Sequence, residues 1–161
     1  MLYFFYLFFI FLTKRALSAD AIARTFTPLW RARNGFQIQN LGNHKMLFTF
    51  DNKEDVDRIL LSQPWSFDKH LVVMQRYDKD SSLQELCFNK ASFWVQLHDI
   101  PLHYMTMEAV VKISEVIGEV TRPTDAKEID GGNFLHLKVA IDLSLPLCHG
   151  RLITLENDKQ I

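Results

Sequence analysis

The sequence predicts an α+β fold, in which helices cover one face of a mainly antiparallel sheet. Segments with an apolar residue at every second position alternate along the chain with segments that have apolar residues at helical spacing. Turn signals of the Asn-Gly, Gly-Asn and Gly-Gly type separate these segments. The chain has 161 residues, of which 48% are hydrophobic and 23% are charged. This composition excludes disordered, collagen-like and disulfide-rich classes of protein.

The chain opens with an uncharged apolar run, residues 1–12, for which two interpretations stay open. In the first, the run is a buried strand rich in aromatic residues. In the second, residues 1–18 are a signal or anchor, with small residues at Ala16 and Ser18 for cleavage. A helix of twelve residues would measure about 18 Å, short of the roughly 30 Å hydrocarbon core of a bilayer, so we do not expect a transmembrane span.

The role of this run decides both the domain division and the compartment. We divide the chain into residues 1–18, the apolar segment, residues 19–156, the α+β domain, and residues 157–161, a polar tail. If the run is a strand, we expect a nuclear or cytoplasmic protein. If the run is a signal, we expect a secretory or membrane-anchored one.

The elements of the first half follow a recognisable order. Residues 18–30 have apolar positions at helical spacing and predict a helix, which Pro28 is expected to kink or end early. Residues 36–50 alternate on either side of a turn and predict a hairpin. A second helix is predicted to begin at Asp51 as its N-cap, and residues 70–74 form the next strand. The order is β-α-β-β-α-β, the ferredoxin-like split unit, provided that the apolar run supplies the first strand.

The second half is predicted to add a strand–helix–strand extension to this unit. Alternation predicts strands over residues 93–97 and 135–142, and helical spacing predicts a helix over residues 106–117. A last strand is expected over residues 151–155, after the turn at Gly150.

The aromatic residues are assigned mainly to the core. Trp30, Trp65 and Trp94 each stand among apolar neighbours at the boundary of an element, so we expect all three to be buried. Phe48 and Phe50 are the nearest equivalents of the sheet aromatics that bind RNA in some α+β domains, but the matching glycine-aromatic signature is not present. We therefore expect these two residues to be core residues as well.

Charge is distributed unevenly along the chain. Six basic residues stand against one acid in residues 1–50, a net +5, and the remainder carries a net −6. The overall charge of −1 excludes binding of nucleic acid by bulk charge alone but allows a local site. Arg31, Arg33 and Lys45 are the best candidates for phosphate contacts, because we expect them to cluster around the end of the first helix and the hairpin. Three such contacts predict weak, salt-sensitive binding.

No pattern in the sequence indicates catalysis, a metal or a cofactor. His98 and His103 are separated by a proline that prevents helical alignment, and Cys87 and Cys148 lack the C-x₂-C pairs of zinc sites. The glycines do not form a phosphate-binding loop. We therefore expect no catalytic residues, no metal ligands, no cofactor and no small-molecule substrate.

Ordered motifs along most of the chain resemble one family. They are LW at 29–30, LGN at 41–43, LFTF at 47–50, QPWSF at 63–67, FWVQLHDIPL at 93–102, IGEV at 117–120 and VAIDLSLPL at 139–147. In order and spacing they resemble the plant family of domains of unknown function numbered 4283, over about residues 8–156.

The resemblance implies a non-enzymatic, retrotransposon-derived module that is gag-like or RRM-like. In that family a zinc knuckle usually follows the domain, and none is present in this sequence. We expect weak binding of single-stranded RNA or DNA, gag-like assembly, or both, with self-association or a protein partner. The alternatives are a protein–protein interaction module that binds no nucleic acid, and a secreted or membrane-anchored protein if residues 1–18 are a signal.

Overall fold

The computed structural model describes residues 2–78, 80, 82, 86, 88–148, 150, 152–154 and 160. Within them lie three α-helices and two antiparallel sheets, so the predicted α+β class is confirmed. Contacts divide the chain into two compact units, Met1–Phe88 and Asn89–Ile161. Whether residues 19–156 act as one domain stays a prediction.

The first unit contains a five-stranded sheet and two helices. Its elements are β1 (Phe5–Phe11), α1 (Ala19–Trp30), β2 (Gln37–Gly42), β3 (Lys45–Phe50), α2 (Lys53–Leu61), β4 (Trp65–Phe67) and β5 (His70–Tyr77). The strand order is β2-β3-β1-β5-β4, and all neighbouring strands are antiparallel. Strand β1 is therefore the centre of the sheet, which is the position that the buried-strand interpretation of the apolar run requires.

Strand β1 is almost wholly apolar because both of its faces are covered or half-covered. Leu7, Phe9 and Phe11 point to the helices and are buried in the core. Tyr6 and Phe8 lie on the opposite face, where the Phe8 ring contacts Phe88 at a centroid distance of 5.0 Å. Among the described residues, no helix has the length and apolarity that crossing a bilayer demands.

Both helices of the first unit begin at a side-chain cap. Ser18 caps α1, and the helix continues past Pro28 to Trp30, so the early end expected from the proline does not occur. The cap of α2 is Asn52, whose side-chain oxygen accepts a hydrogen bond from Glu54 N–H at 2.9 Å. The prediction of Asp51 as the cap is wrong because the Asp51 carboxylate accepts a hydrogen bond from the Asn34 side chain instead, at 2.8 Å.

The core of the first unit consists largely of aromatic rings. Trp30 is fully buried, stacks on Phe26 at 4.4 Å and meets Phe9 edge to face at 5.4 Å. Phe48 and Phe50 are buried in the same cluster, so their assignment to the core is confirmed. Trp65 packs against this cluster, and its indole N–H donates to the Ile59 carbonyl at 2.8 Å.

The second unit has a smaller sheet with one α-helix. Its elements are β6 (Lys90–Leu97), α3 (Met107–Ser114), β7 (Glu119–Val120) and β8 (Leu135–Asp142), with short 3₁₀ turns at Leu102–Tyr104 and Ala126–Ile129. The strand order is β6-β8-β7. Thr106 caps α3, which ends three residues before the predicted limit. The strand expected over residues 151–155 includes Arg151 and Leu155, which lie outside the described residues.

The core of the second unit is aliphatic, and its exposed tryptophan contradicts the sequence-based assignment. The buried cluster consists of Leu97, Val110, Val111, Ile129, Leu135, Leu137 and Val139. Trp94 is 54% exposed. The reason is the alternation of β6: Val95 and Leu97 face the core, so Trp94 faces away from it.

Candidate nucleic-acid interface

The three cations predicted to cluster lie at two different ends of strand β3. The Arg33 N–H donates to the Asp55 carboxylate at 2.8 Å, so the residues after α1 lie beside the first turn of α2. Because α2 follows β3 directly, Arg33 is near the last residue of β3. Lys45 is the first residue of β3 and pairs with Ile10 of β1. Five residue steps along a strand measure about 17 Å. The expected cluster of Arg31, Arg33 and Lys45 is therefore not formed.

Arg33 lies beside a carboxylate, Asp55, whereas the partner of the Arg31 side chain is a backbone carbonyl. Arg31 ends α1 in the left-handed conformation, with φ 46°, and its side chain donates to the Pro28 carbonyl at 3.2 Å. Burial works to raise the pKa of Asp55, but hydrogen bonds from the Arg58 side chain and the Arg33 backbone outweigh it, so this pKa lies below its usual value. Asp55 is therefore ionised at neutral pH and offsets positive charge at this end of the sheet.

Lys45 belongs instead to a group of basic residues at the opposite end of the same sheet. We call this group the basic end. It comprises the exposed cations Lys14, Arg15, Lys45 and Lys69 and the half-buried histidines His44 and His70. The carboxylate among these loops is Asp68, and Asp20 follows in the first turn of α1.

Hydrogen bonds tie the three loops of the basic end together. The Phe11 N–H donates to the His44 carbonyl at 3.0 Å, which joins the end of β1 to the β2–β3 turn. The His44 ring is 2.9 Å from the Arg15 carbonyl. The Arg15 guanidinium contacts the Asp68 carboxylate at 2.6 Å, which joins the β1–α1 loop to the β4–β5 turn. The cations are thus held near one another by the backbone of three neighbouring loops.

Both hairpin turns of the basic end place a basic residue where glycine is usually favoured. Asn43 and His44 have φ of 51° and 61°, and Asp68 and Lys69 have φ of 48° and 63°. Positive φ at both central residues is the geometry of a type I′ turn, which prefers Asn or Asp followed by Gly. His44 and Lys69 occupy the glycine position, at an energetic cost of about 1 kcal/mol or more each. A strained backbone of this kind is found most often at functional sites.

Sequence reasoning missed most of this group because its residues are distant along the chain. Lys14 and Arg15 are separated from Lys69 by more than fifty positions. The signal that could have predicted this group is the order of the strands in the sheet. Once the apolar run is taken as the central strand, the loop after it, the first hairpin turn and the Asp68-Lys69 turn must all lie at one end of an antiparallel sheet.

Within the described part of the chain, no three side chains of His, Cys, Asp or Glu come together as ligands for a metal ion. Cys148 is exposed with a free thiol, and the other cysteine of the chain, Cys87, lies outside the described residues.

Comparison with protein families gives one match. The family model described as "Domain of unknown function (DUF4283)" matches residues 5–85, just over half of the chain. The chain belongs to the DUF4283 family. No curated protein matches the chain.

The DUF4283 match begins at β1 and extends past β5, so it contains the whole basic end. The match also treats the apolar run from Phe5 onward as part of the domain. The motifs of the second unit that prompted the resemblance, including the strand with Trp94, lie outside the matched residues.

Proposed function

We propose that this DUF4283 chain is a non-enzymatic nucleic-acid-binding module that contacts the phosphate backbone of single-stranded RNA or DNA with its basic end. The observation that carries the proposal is the convergence of Lys14, Arg15, Lys45 and Lys69 on three hydrogen-bonded loops. Ammonium and guanidinium groups that face one direction without an equal number of carboxylates attract phosphate groups. Few cations are involved, so the binding is weak and decreases steeply with salt.

The proposal includes the ferredoxin-like, RRM-like topology of the first unit. The antiparallel order β2-β3-β1-β5 and the succession of two strand–helix units support it. An origin in a plant retrotransposon, from a gag-like reading frame, is part of the same proposal and is supported by the order of the motifs quoted above.

The test compares variants at the two ends of the sheet. The variant K14Q/K45Q/K69Q removes three positive charges from the basic end, and the matched control R31Q/R33Q/K53Q removes three from the opposite end. Binding of a labelled oligouridine is measured by fluorescence anisotropy at several salt concentrations. We expect the first variant to lose at least tenfold in affinity at low salt and to reduce the slope of log K against log salt by about 2, while the control keeps the slope.

Three outcomes would contradict this proposal. If the wild-type chain binds no oligonucleotide at low salt, the nucleic-acid function is wrong. If only the control variant loses affinity, Arg31 and Arg33 form the site. If both variants lose affinity equally, net charge rather than a site controls binding.

Gag-like assembly is a second candidate, which strand β2 favours. This strand lies at the edge of the sheet, its sequence QIQNLG carries no charge, and most of its residues are exposed. An uncharged edge strand can pair with the same strand of a second copy. We expect the chain to self-associate in size-exclusion chromatography with light scattering, and we expect Q39K to abolish this association. A chain that stays monomeric at the highest soluble concentration would contradict this candidate.

A further inference from the structure

The outer face of the second sheet carries aromatic side chains that its core does not use. Strand alternation places Trp94 and Gln96 of β6 on this face, opposite Lys138 and His136 of β8. The next positions on the same side of the two strands are His98 and Phe134. We call Trp94, His136, Phe134 and His98 the aromatic row.

The rings of the aromatic row contact one another in sequence. The Trp94 and His136 centroids are 5.1 Å apart at an interplanar angle of 69°. His136 is 5.9 Å from Phe134, which is 5.3 Å from His98. The four rings therefore form a continuous surface across both strands.

A cation lies directly against this surface. Lys138 Nζ is 5.4 Å from the Trp94 ring centroid, within the range of a cation–π interaction. Burial lowers the pKa of Lys138 below its usual value, so its charged form is incompletely solvated. Lys138 therefore brings a positive charge to the Trp94 ring.

We propose that the aromatic row with Lys138 is a second binding site of this chain, on which unpaired bases of a single-stranded nucleic acid stack. A large exposed ring beside a cation is the arrangement that binds single strands without sequence preference: the base stacks and the adjacent phosphate meets the cation. The choice of nucleic acid as the ligand rests on the proposed function, whereas the site itself consists of residues outside the basic end.

The composition of the face favours a nucleic acid over a protein partner. Around Trp94 the outer positions are Ser92, Gln96 and Lys138, so the tryptophan is not surrounded by aliphatic side chains. Stable protein interfaces usually have an apolar, charge-depleted centre. Charged side chains of both signs also lie on this face: Glu119 pairs with Ala140, the outer position next to Lys138, and contacts Lys90 at 3.6 Å. The face is therefore not the charge-depleted surface that is typical of a protein interface.

The test measures single-stranded and duplex binding in matched variants of the full chain. W94A removes the stacking ring, W94F keeps an aromatic ring, and L102A removes another exposed apolar side chain from the same unit. Labelled oligouridine and a duplex of equal length are titrated by anisotropy, and urea unfolding confirms that each variant is folded.

We expect W94A to weaken oligouridine binding by about tenfold without changing the salt slope, because loss of one stacked base costs about 1–3 kcal/mol. W94F and L102A should bind within about threefold of the wild type, and duplex binding should be the same in all variants. In the wild type, oligouridine should quench tryptophan emission, and this quenching should be lost in W94F.

Wild-type affinity in W94A, or an equal loss of duplex binding, would overturn the inference. So would a change in self-association caused by W94A, because the face would then bind protein. If W94A weakens binding and K14Q/K45Q/K69Q does not, the aromatic row stands and the basic end is wrong as the phosphate site. If K14Q/K45Q/K69Q weakens binding and W94A does not, the aromatic row is wrong as a binding site and the basic end stands. Absence of binding in the wild type overturns both.

Discussion

The two sheets of this chain differ in which face carries their large aromatic residues: the face toward the core in the first unit and the outer face in the second. In the first unit Phe9, Phe48 and Trp30 are buried between sheet and helices, and the basic end lies apart from them, at the ends of the strands. In the second unit the core is aliphatic, and the rings share the outer face with Lys138. Aromatic residues therefore stabilise the first unit and remain accessible for contacts in the second.

The largest expected effect comes from removing strand β1. Deletion of residues 1–18 takes away the strand that joins β3 to β5, and with it Leu7, Phe9 and Phe11 of the core. We expect the first unit to lose its cooperative unfolding transition and its near-ultraviolet circular dichroism, because the aromatic core can no longer pack without its central strand.

Deletion of residues 1–4 is the control for this prediction. Leu2, Tyr3 and Phe4 precede β1 and are exposed, so their loss should leave the transition in place. A chain without residues 1–18 that folds as well as the full chain would contradict the structural role of β1. It would also support the signal interpretation, which amino-terminal sequencing of the mature protein tests directly.

Substitution of single tryptophans compares the two units directly. We expect W30A to lower the free energy of unfolding by about 3–5 kcal/mol, because it removes a fully buried ring from a packed aromatic cluster. We expect W94A to lower it by about 1 kcal/mol or less, since that ring is more than half exposed. Urea denaturation measures both values. If W30A and W94A lower the free energy of unfolding equally, Trp94 stabilises its unit as much as Trp30 does, and the proposed difference between the two units is wrong.

Much of the fold could be predicted from the sequence because most elements have a clear apolar period. The helices, the hairpin and the strand over residues 135–142 follow directly from it. Trp94 was assigned wrongly because a tryptophan among apolar neighbours was treated as a core residue. The alternation of its own strand, with Phe93, Val95 and Leu97 on one side, would have placed it outside.

The basic end could not be predicted from local patterns, because it depends on which loops share one end of the sheet. Sequence proximity grouped Lys45 with Arg31 and Arg33, whereas antiparallel pairing puts Lys45 with Lys14, Arg15 and Lys69. Nearness along the chain is a poor guide to nearness in space when a strand separates the residues.

The acidic surroundings of Arg33 give a prediction with a defined pH dependence. We expect D55N to cost about 1–2 kcal/mol at neutral pH, because the buried carboxylate accepts hydrogen bonds from Arg33 N–H and from Arg58. The pKa of Asp55 is lower in the folded chain than its usual value of 3.8, so this stabilisation is present above that value and is lost as pH falls through the folded pKa.

Urea unfolding at neutral and acid pH measures this effect. The difference between wild type and D55N should shrink as the pH falls below about 4, and E54Q, which alters an exposed carboxylate on the same helix, serves as the control. A difference that is constant with pH would show that Asp55 acts through packing and not through its charge.

The smallest expected effect is a gain of binding at the basic end. Asp68 holds the Arg15 guanidinium, and Asn also tolerates the positive φ of 48° at this turn position. D68N should therefore keep the fold, since an exposed ion pair contributes less than about 1 kcal/mol, and release Arg15 to a phosphate. We expect oligouridine affinity to rise by about two- to threefold and the salt slope to increase by about 0.7. D125N, which changes a carboxylate in the second unit, should leave both unchanged. If D68N weakens binding, then Asp68 positions Arg15 for its ligand instead of competing with it, and the basic end works as a preformed ion-paired site.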